Sequence, residues 1–254
     1  MIKIKSPAEI ELMRRAGKIT AAARAFAGEM VIPGVTTQEI DKRVHDFIIS
    51  QGATPAFLNY NGFPKSVCIS VNEQVIHGIP GKRKLREGEI VSIDVGVVYN
   101  GYVGDCAATY CAGSCSEEAE RLIKVTKQSF FEGIKFAREG KRVSDISRAV
   151  QAYVEANGFS VVREFVGHGV GARLHEPPEV PNYVENPRRG ADPRLVKGMT
   201  LAVEPMINSG GAAIRILQDG WTVVTADKSL SAHYENTILI TAGEPEILTI
   251  FGEE

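Results

Sequence analysis

The chain has 254 residues, 44% of them hydrophobic and 24% charged, with 29 basic and 31 acidic side chains and a formal net charge of −2. That composition excludes a disordered chain, a collagen-like repeat and a disulfide scaffold, and the length suffices to bury a core without staples. The near balance of charge argues against a nucleic-acid-binding surface, which shows as an excess of Lys and Arg.

The chain starts MIKIKSPAEIELMRRAG, charged every few positions and without the apolar core of a signal peptide. No apolar run approaches the roughly 18 residues of a membrane span. Cys68, Cys106, Cys111 and Cys115 match no paired zinc spacing, so the expectation is four reduced thiols in a cytoplasmic protein. Ser6-Pro7-Ala8-Glu9 is a capping box with Pro at the first helical position and predicts a helix to about residue 28. Thr36 to Glu39 repeats the form ahead of the stripe Ile40, Val44, Phe47 and Ile48, which ends near Gly52. Two further helices are expected over 116–138 and 143–157. Short β-rich runs lie at 66–71, 89–98, 102–110, 160–166, 200–207, 212–216 and 234–241.

Two helices followed by strands, then the same again, suggest duplication. Gly34, Ile40, Val44, Phe47, Ile48 and Gly52 match Gly140, Ile146, Val150, Tyr153, Val154 and Gly158. LREGEIVSID (85–94) matches LVKGMTLAVE (195–204), and His77-Gly78-Ile79 matches His168-Gly169-Val170 in equivalent turns. The expectation is an α+β fold in a single domain, 1–254, built from two similar halves at about 1–112 and 113–254. Short connections favour antiparallel strands with helices over one face.

In EIVSIDVGVVYNGYVGDCAATY (89–110), Asn100-Gly101 marks a two-residue hairpin turn. Setting Tyr99 opposite Tyr102 puts Asp94 opposite Ala107 and Gly96 opposite Asp105. Asp94 and Asp105 then share a face as diagonal neighbours about 7–8 Å apart, with Gly96 and Gly104 leaving that face open. The duplication sets Glu204 at the position of Asp94, and Glu235 beside it as Asp105 stands beside Asp94. Four carboxylates brought together by a pseudo-two-fold axis would repel one another strongly. Two divalent cations would neutralise them, and carboxylates bridge metals about 3.5–4 Å apart.

Of the five histidines, His45 sits in the second helix, where a surface or packing role is expected. His233 shares a strand face with Glu235 by parity but carries no other mark. His77, His168 and His175 lie in Gly-rich stretches that face the acids, which favours a functional role for all three.

The motifs PKSVCISVNEQVIHGIP (64–80), SIDVGVVYNGYVGD (92–105), GHGVGARLHEPP (167–178), VEPM (203–206) and DGWTVVTADKSLSAHYENT (219–237) together resemble the type I methionine aminopeptidases, within the pita-bread dinuclear metallopeptidases. The resemblance covers essentially the whole chain and is to the short bacterial form. It implies Asp94, Asp105, His168, Glu204 and Glu235 as ligands of two divalent ions (Co, Mn, Fe or Zn), with Asp105 and Glu235 bridging. It further implies that metal-activated hydroxide attacks the first peptide bond, with Glu204 as general base. His175 would donate to the carbonyl oxygen and His77 would lie near the leaving nitrogen. Tyr60, Phe63, Cys68 and Trp221 would line a pocket for the methionine side chain, followed by a confined site for a small second residue.

The implied partners are the N-termini of nascent polypeptides, with the ribosome a further candidate; no nucleic acid or membrane partner is implied, and a monomer is expected. Leu195-Val196-Lys197-Gly198 lacks the Pro usual before that Gly, and Phe57 and Leu174 stand where relatives vary. The polar, Pro-rich stretch 181–194 is expected to be a surface loop near the cleft mouth. Competing readings are a prolidase or X-Pro aminopeptidase on the same fold, and a non-enzymatic binding protein on that scaffold.

Overall fold

The computed structural model describes residues 1–184 and 192–252, so the middle of the loop expected at 181–194 lies outside the described residues. The α-helices are α1 (Pro7–Glu29), α2 (Thr37–Ser50), α3 (Glu117–Ile134) and α4 (Val143–Ala156). Both capping boxes form. Glu9 reaches back to the Ser6 backbone N–H at 2.7 Å, and Glu39 to that of Thr36 at 2.8 Å, so two otherwise unpaired donors at each helix start are satisfied.

Between the helix pairs lie β1 (Thr54–Pro55), a 3-10 turn at Tyr60–Gly62, β2 (Cys68–Val71), β3 (Gln74–Ile76), β4 (Ile90–Tyr99) and β5 (Tyr102–Cys111). After α4 come β6 (Ser160–Val161), β7 (Gly167–Gly169), β8 (Glu176–Val180), β9 (Thr200–Val203) and β10 (Met206–Asn208). The chain finishes with β11 (Ile214–Ile216), β12 (Val223–Thr225), β13 (Ser231–His233), β14 (Glu235–Leu239) and β15 (Glu246–Ile247). The run expected at 160–166 shortens to Ser160–Val161, and 200–207 divides at Glu204-Pro205 into β9 and β10.

A nine-stranded antiparallel sheet carries the architecture, in the order β1-β4-β5-β14-β9-β7-β8, with β2 on β4 and β15 on β14. Two three-stranded sheets, β13-β10-β6 and β11-β12-β3, flank it. Alternation along β4 separates the two faces. Val91, Ile93, Val95 and Val97 pack with Ala23 and Ala27 of α1 and Ile40, Val44 and Ile48 of α2. A second core gathers Leu122 and Phe130 of α3, Ile146 and Val150 of α4, and Leu201, Val203 and Ile238 of the sheet. Among the described residues, no helix is long and apolar enough to cross a membrane.

Strand parity corrects one expectation. Gly104 pairs with Val97 and so faces the helices, where a Cβ would stand 2.9 Å from the Gly17 Cα; its absence lets α1 approach the sheet. Gly96 does share the face of Asp105, but the Phe57 ring fills the space above it, 2.4 Å from where a Cβ would be. The acid face is therefore walled at that point rather than open.

Candidate active site

The hairpin register is the expected one, from Tyr99–Tyr102 through Gly96–Asp105 to Asp94–Ala107. Across the sheet, Cys68, Asp94, Ala107 and Glu235 form one row, because β2, β4, β5 and β14 pair at those positions. The next row runs from Gly96 and Asp105 on the hairpin to the paired Thr237, Ala202 and His168 of β14, β9 and β7. Thr237 stitches the seam: its hydroxyl accepts from the Asp105 N–H at 3.0 Å and donates to the Asp105 carbonyl at 2.9 Å. Gly and Ala beside the acids leave room that larger side chains would occupy.

Glu204, directly after β9, completes the group. His168 Nε2 lies 3.4 Å from Glu204 and 3.8 Å from Asp105. The other ring nitrogen of His168, Nδ1, is 2.9 Å from its neighbour's carbonyl, that of Gly169. A carbonyl only accepts, so Nδ1 carries the proton and Nε2 presents a lone pair to the acids, the arrangement of a metal-ligating imidazole. Donors about 2.1 Å from a shared ion stand roughly 3.0–4.2 Å apart, which matches these spacings.

Electrostatics agree. Burial holds the Asp94 carboxyl up at about 7. Burial, and then the neighbouring acids, push Asp105 and Glu235 well above the carboxylate range; burial and then Asp94 do the same to Glu204. His168 falls to about 3, through burial and then His175. Asp94 Oδ1, Asp105 Oδ1 and Glu235 Oε1 are buried without a hydrogen-bond partner. Orphaned carboxylate oxygens beside a lone pair fit divalent cations, which would restore ionisation and supply the missing partners.

A cavity of 220 Å³ opens onto this group. Its lining includes all seven residues assigned to metal or chemistry, namely Asp94, Asp105, His168, Glu204, Glu235, His77 and His175, as well as Tyr60, Phe63, Cys68 and Trp221. Phe57, Ile76, Phe165 and Leu174 extend the apolar wall. Trp221 meets Phe63 edge-on with ring centroids 5.2 Å apart, on a turn in which Asp219 accepts from the Trp221 and Thr222 N–H groups. Burial, next to the Asp94 charge, keeps the Cys68 thiol protonated.

The histidines differ from expectation in local structure. His168 lies within strand β7, whereas His77 follows β3 at φ 58 with its ring edge-on to Phe165, 5.6 Å between centroids. His77 is held neutral, at about 4, by burial and then by His175. His45 bonds Ser66 at 2.8 Å in a structural role. His233, marked in the sequence only by parity, is 2% exposed, with Nε2 unpartnered 3.7 Å from Glu235 and 4.0 Å from Glu204. Asp94, His233 and Glu235 thus form a second donor group beside Asp105, His168 and Glu235.

Residues 11–242 match the model of metallopeptidase family M24. The chain belongs to that family. Methionine aminopeptidase of Clostridium perfringens is 55% identical over 250 residues, covering 98% of this chain and 99% of that one. The crystal structure of methionine aminopeptidase from Thermotoga maritima superposes with a TM-score of 0.95 at 44% identity, covering 99% of this chain and 100% of that one. Prolidase from Pyrococcus furiosus, at 23% identity and a TM-score of 0.80 over 66% of its length, shares the fold alone. The fold is accordingly the α+β pita-bread fold of M24 metallopeptidases, and the family binds divalent metal.

Proposed function

We propose that the protein is a methionine aminopeptidase, removing the N-terminal methionine from peptides and nascent chains whose second residue is small and uncharged. The observation that carries this reading is a buried carboxylate–imidazole group at the floor of a cavity walled by aromatic and thiol side chains. Asp94, Asp105, His168, Glu204 and Glu235 would hold two divalent ions, drawn from Co, Mn, Fe and Zn, since one imidazole and four carboxylates accept each of them. When bound, such ions supply Lewis acidity and a nucleophilic water near neutral pH.

The chain's own groups do the rest. Tyr60, Phe63, Cys68 and Trp221 grip the unbranched thioether side chain, to which apolar and soft surfaces are suited. Glu204 takes the proton of the attacking water on its carboxylate and passes it to the leaving amine. His175 donates to the carbonyl oxygen as negative charge develops there, and His77 steadies the leaving nitrogen. Substrate chains are made in the cytoplasm, where we place the protein as a monomeric single catalytic domain of two halves, acting on emerging N-termini near the ribosome.

The test is release of methionine from Met-Ala-Ser after metal removal, with each candidate ion restored separately. Restoration by at least one ion, with no cleavage of Phe-Pro peptides, is the expected result. Failure of every ion, or preferential Phe-Pro cleavage, would overturn the reading.

A further inference from the structure

Tyr60 does more in this structure than wall the pocket. Its hydroxyl lies 2.7 Å from Nδ1 of His175, a contact between residues 115 positions apart that joins the first half of the chain to the second. The 3-10 turn presenting Tyr60 is closely specified. Asn59 and Asn61 adopt left-handed backbone (φ 66 and 48), a conformation that Asn tolerates better than most residues. The Asn59 N–H donates to the Phe63 carbonyl, the Tyr60 N–H to that of Phe57, and the Phe63 N–H to that of Tyr60, at 2.8–2.9 Å. On the other side, His175 packs against His168 with ring centroids 4.2 Å apart, so the ring is fixed between the phenol and the metal-ligand group.

A neutral imidazole carries one proton, and the phenol contact decides which nitrogen has it. Two arrangements satisfy 2.7 Å: O–H donating to a bare Nδ1, or Nδ1–H donating to the phenol oxygen. A phenol is the stronger acid, and the bare imidazole nitrogen is the stronger acceptor, so the first is favoured. Among the described residues, Nε2 of His175 has no hydrogen-bond partner, so it is available to substrate.

We propose that Tyr60 is a positioning residue that donates to Nδ1 of His175 and holds it as the Nε2–H tautomer, so that the ring enters the reaction as a hydrogen-bond donor. The proposal deepens the aminopeptidase reading, because it explains how His175 is made ready to stabilise the developing oxyanion. The turn of one half then sets the protonation pattern of a group that the other half supplies.

The experiment compares wild type with Tyr60→Phe, which keeps the ring in the pocket and removes only the hydroxyl. In wild type, nitrogen-15 NMR of His175, assigned by its loss in His175→Ala, is expected to show a bare Nδ1 and a protonated Nε2. In Tyr60→Phe the two nitrogens move towards averaged values. On Met-Ala-Ser, kcat falls about 10- to 100-fold while KM stays within about twofold and metal content is unchanged. Adding Tyr60→Phe to His175→Ala lowers kcat no further. A bare Nε2 in wild type, or unchanged tautomer and kcat in Tyr60→Phe, overturns the proposal. The NMR readout does not depend on turnover, so a protein that releases no methionine would defeat the functional reading while leaving the tautomer assignment testable.

Discussion

Asp94 and Asp105 stand on a continuous ribbon, β4 and β5 paired from Ile90–Cys111 to Tyr99–Tyr102 and closed by Asn100-Gly101. Glu204 and Glu235 are held differently. Glu204 directly follows β9 and Glu235 opens β14, with β10 to β13 between them in sequence, and β14 meets β5 through the pairs Glu235–Ala107 and Asn236–Cys106. One acid pair is thus fixed by local hairpin geometry, and the other by docking of distant segments. The site should tolerate changes at the hairpin tip, far from the acids, and respond sharply to changes at the seam where β5 meets β14.

The largest effect is expected from the seam acid itself. Glu235 lies in both donor groups, with Asp94 and His233 on one side and Asp105 and His168 on the other. Glu235→Ala should lower Met-Ala-Ser turnover by about 10³-fold or more and reduce metal content at both positions. Two ions still bound with wild-type affinity would show that neither donor group needs Glu235.

The His175 segment is anchored from far away. Lys5 Nζ bonds Glu176 at 2.9 Å, with both side chains almost wholly buried, and Glu176 also accepts from the Arg173 N–H at 3.2 Å. Removing one partner strands the other charge in the interior. Lys5→Met is therefore expected to cost about 3–5 kcal/mol in urea unfolding, and adding Glu176→Met should restore most of it. A cost below 1 kcal/mol, roughly that of an exposed pair, would mean that water reaches the ion pair.

Charge repulsion between the two acid pairs should be visible in the pH dependence of the metal-free protein. Unfolded carboxyls ionise near pH 4, whereas burial holds Asp94 at about 7 and pushes Asp105, Glu204 and Glu235 well above the carboxylate range, so unfolding releases protons and stability falls as pH rises. His168 and His233 at about 3, and His77 at about 4, act in the opposite sense. They are neutral when folded and protonated when unfolded below about pH 6.5, so their penalty disappears above that value. From pH 6.5 to 8 the acids' contribution remains, and the unfolding free energy should fall steadily, by about 1.4 kcal/mol per pH unit for each retained proton. Saturating divalent ion should flatten the slope. A metal-free protein that gains stability over this interval would contradict the acid cluster.

The contrast between the pairs also explains what was legible in the sequence. The ribbon could be read in register because Asn100-Gly101 fixes the turn and every later pair follows by alternation. Helix starts were legible because Ser6/Glu9 and Thr36/Glu39 satisfy their own backbone donors. The strands β7 and β8 were not, since Gly-His-Gly and Glu-Pro-Pro-Glu-Val carry no β-propensity signal and pair only through the assembled sheet. The positions of the acids followed from duplication, but the burial of His233 beside them depends on where β13 docks, against β10. The link between Tyr60 and His175 belongs to tertiary structure alone, and no spacing encodes it.

The most selective probe of the seam is Thr237. Its side chain is fully buried, and its hydroxyl replaces ladder hydrogen bonds by both accepting from and donating to the Asp105 backbone. Thr237→Val keeps the shape and leaves an N–H and a carbonyl of a candidate metal ligand unpaired, at a cost of about 1–3 kcal/mol. Thr237→Ser keeps the hydroxyl and should lose less. Because Asp105 sits on the rigid ribbon while Thr237 sits on the docked strand, the strain should appear at the junction, as weaker metal binding in calorimetry together with a lower urea midpoint. Loss of stability with unchanged metal affinity would show that β5 alone positions Asp105. Parallel loss of both would show that the metal centre is itself part of what holds β14 against β5.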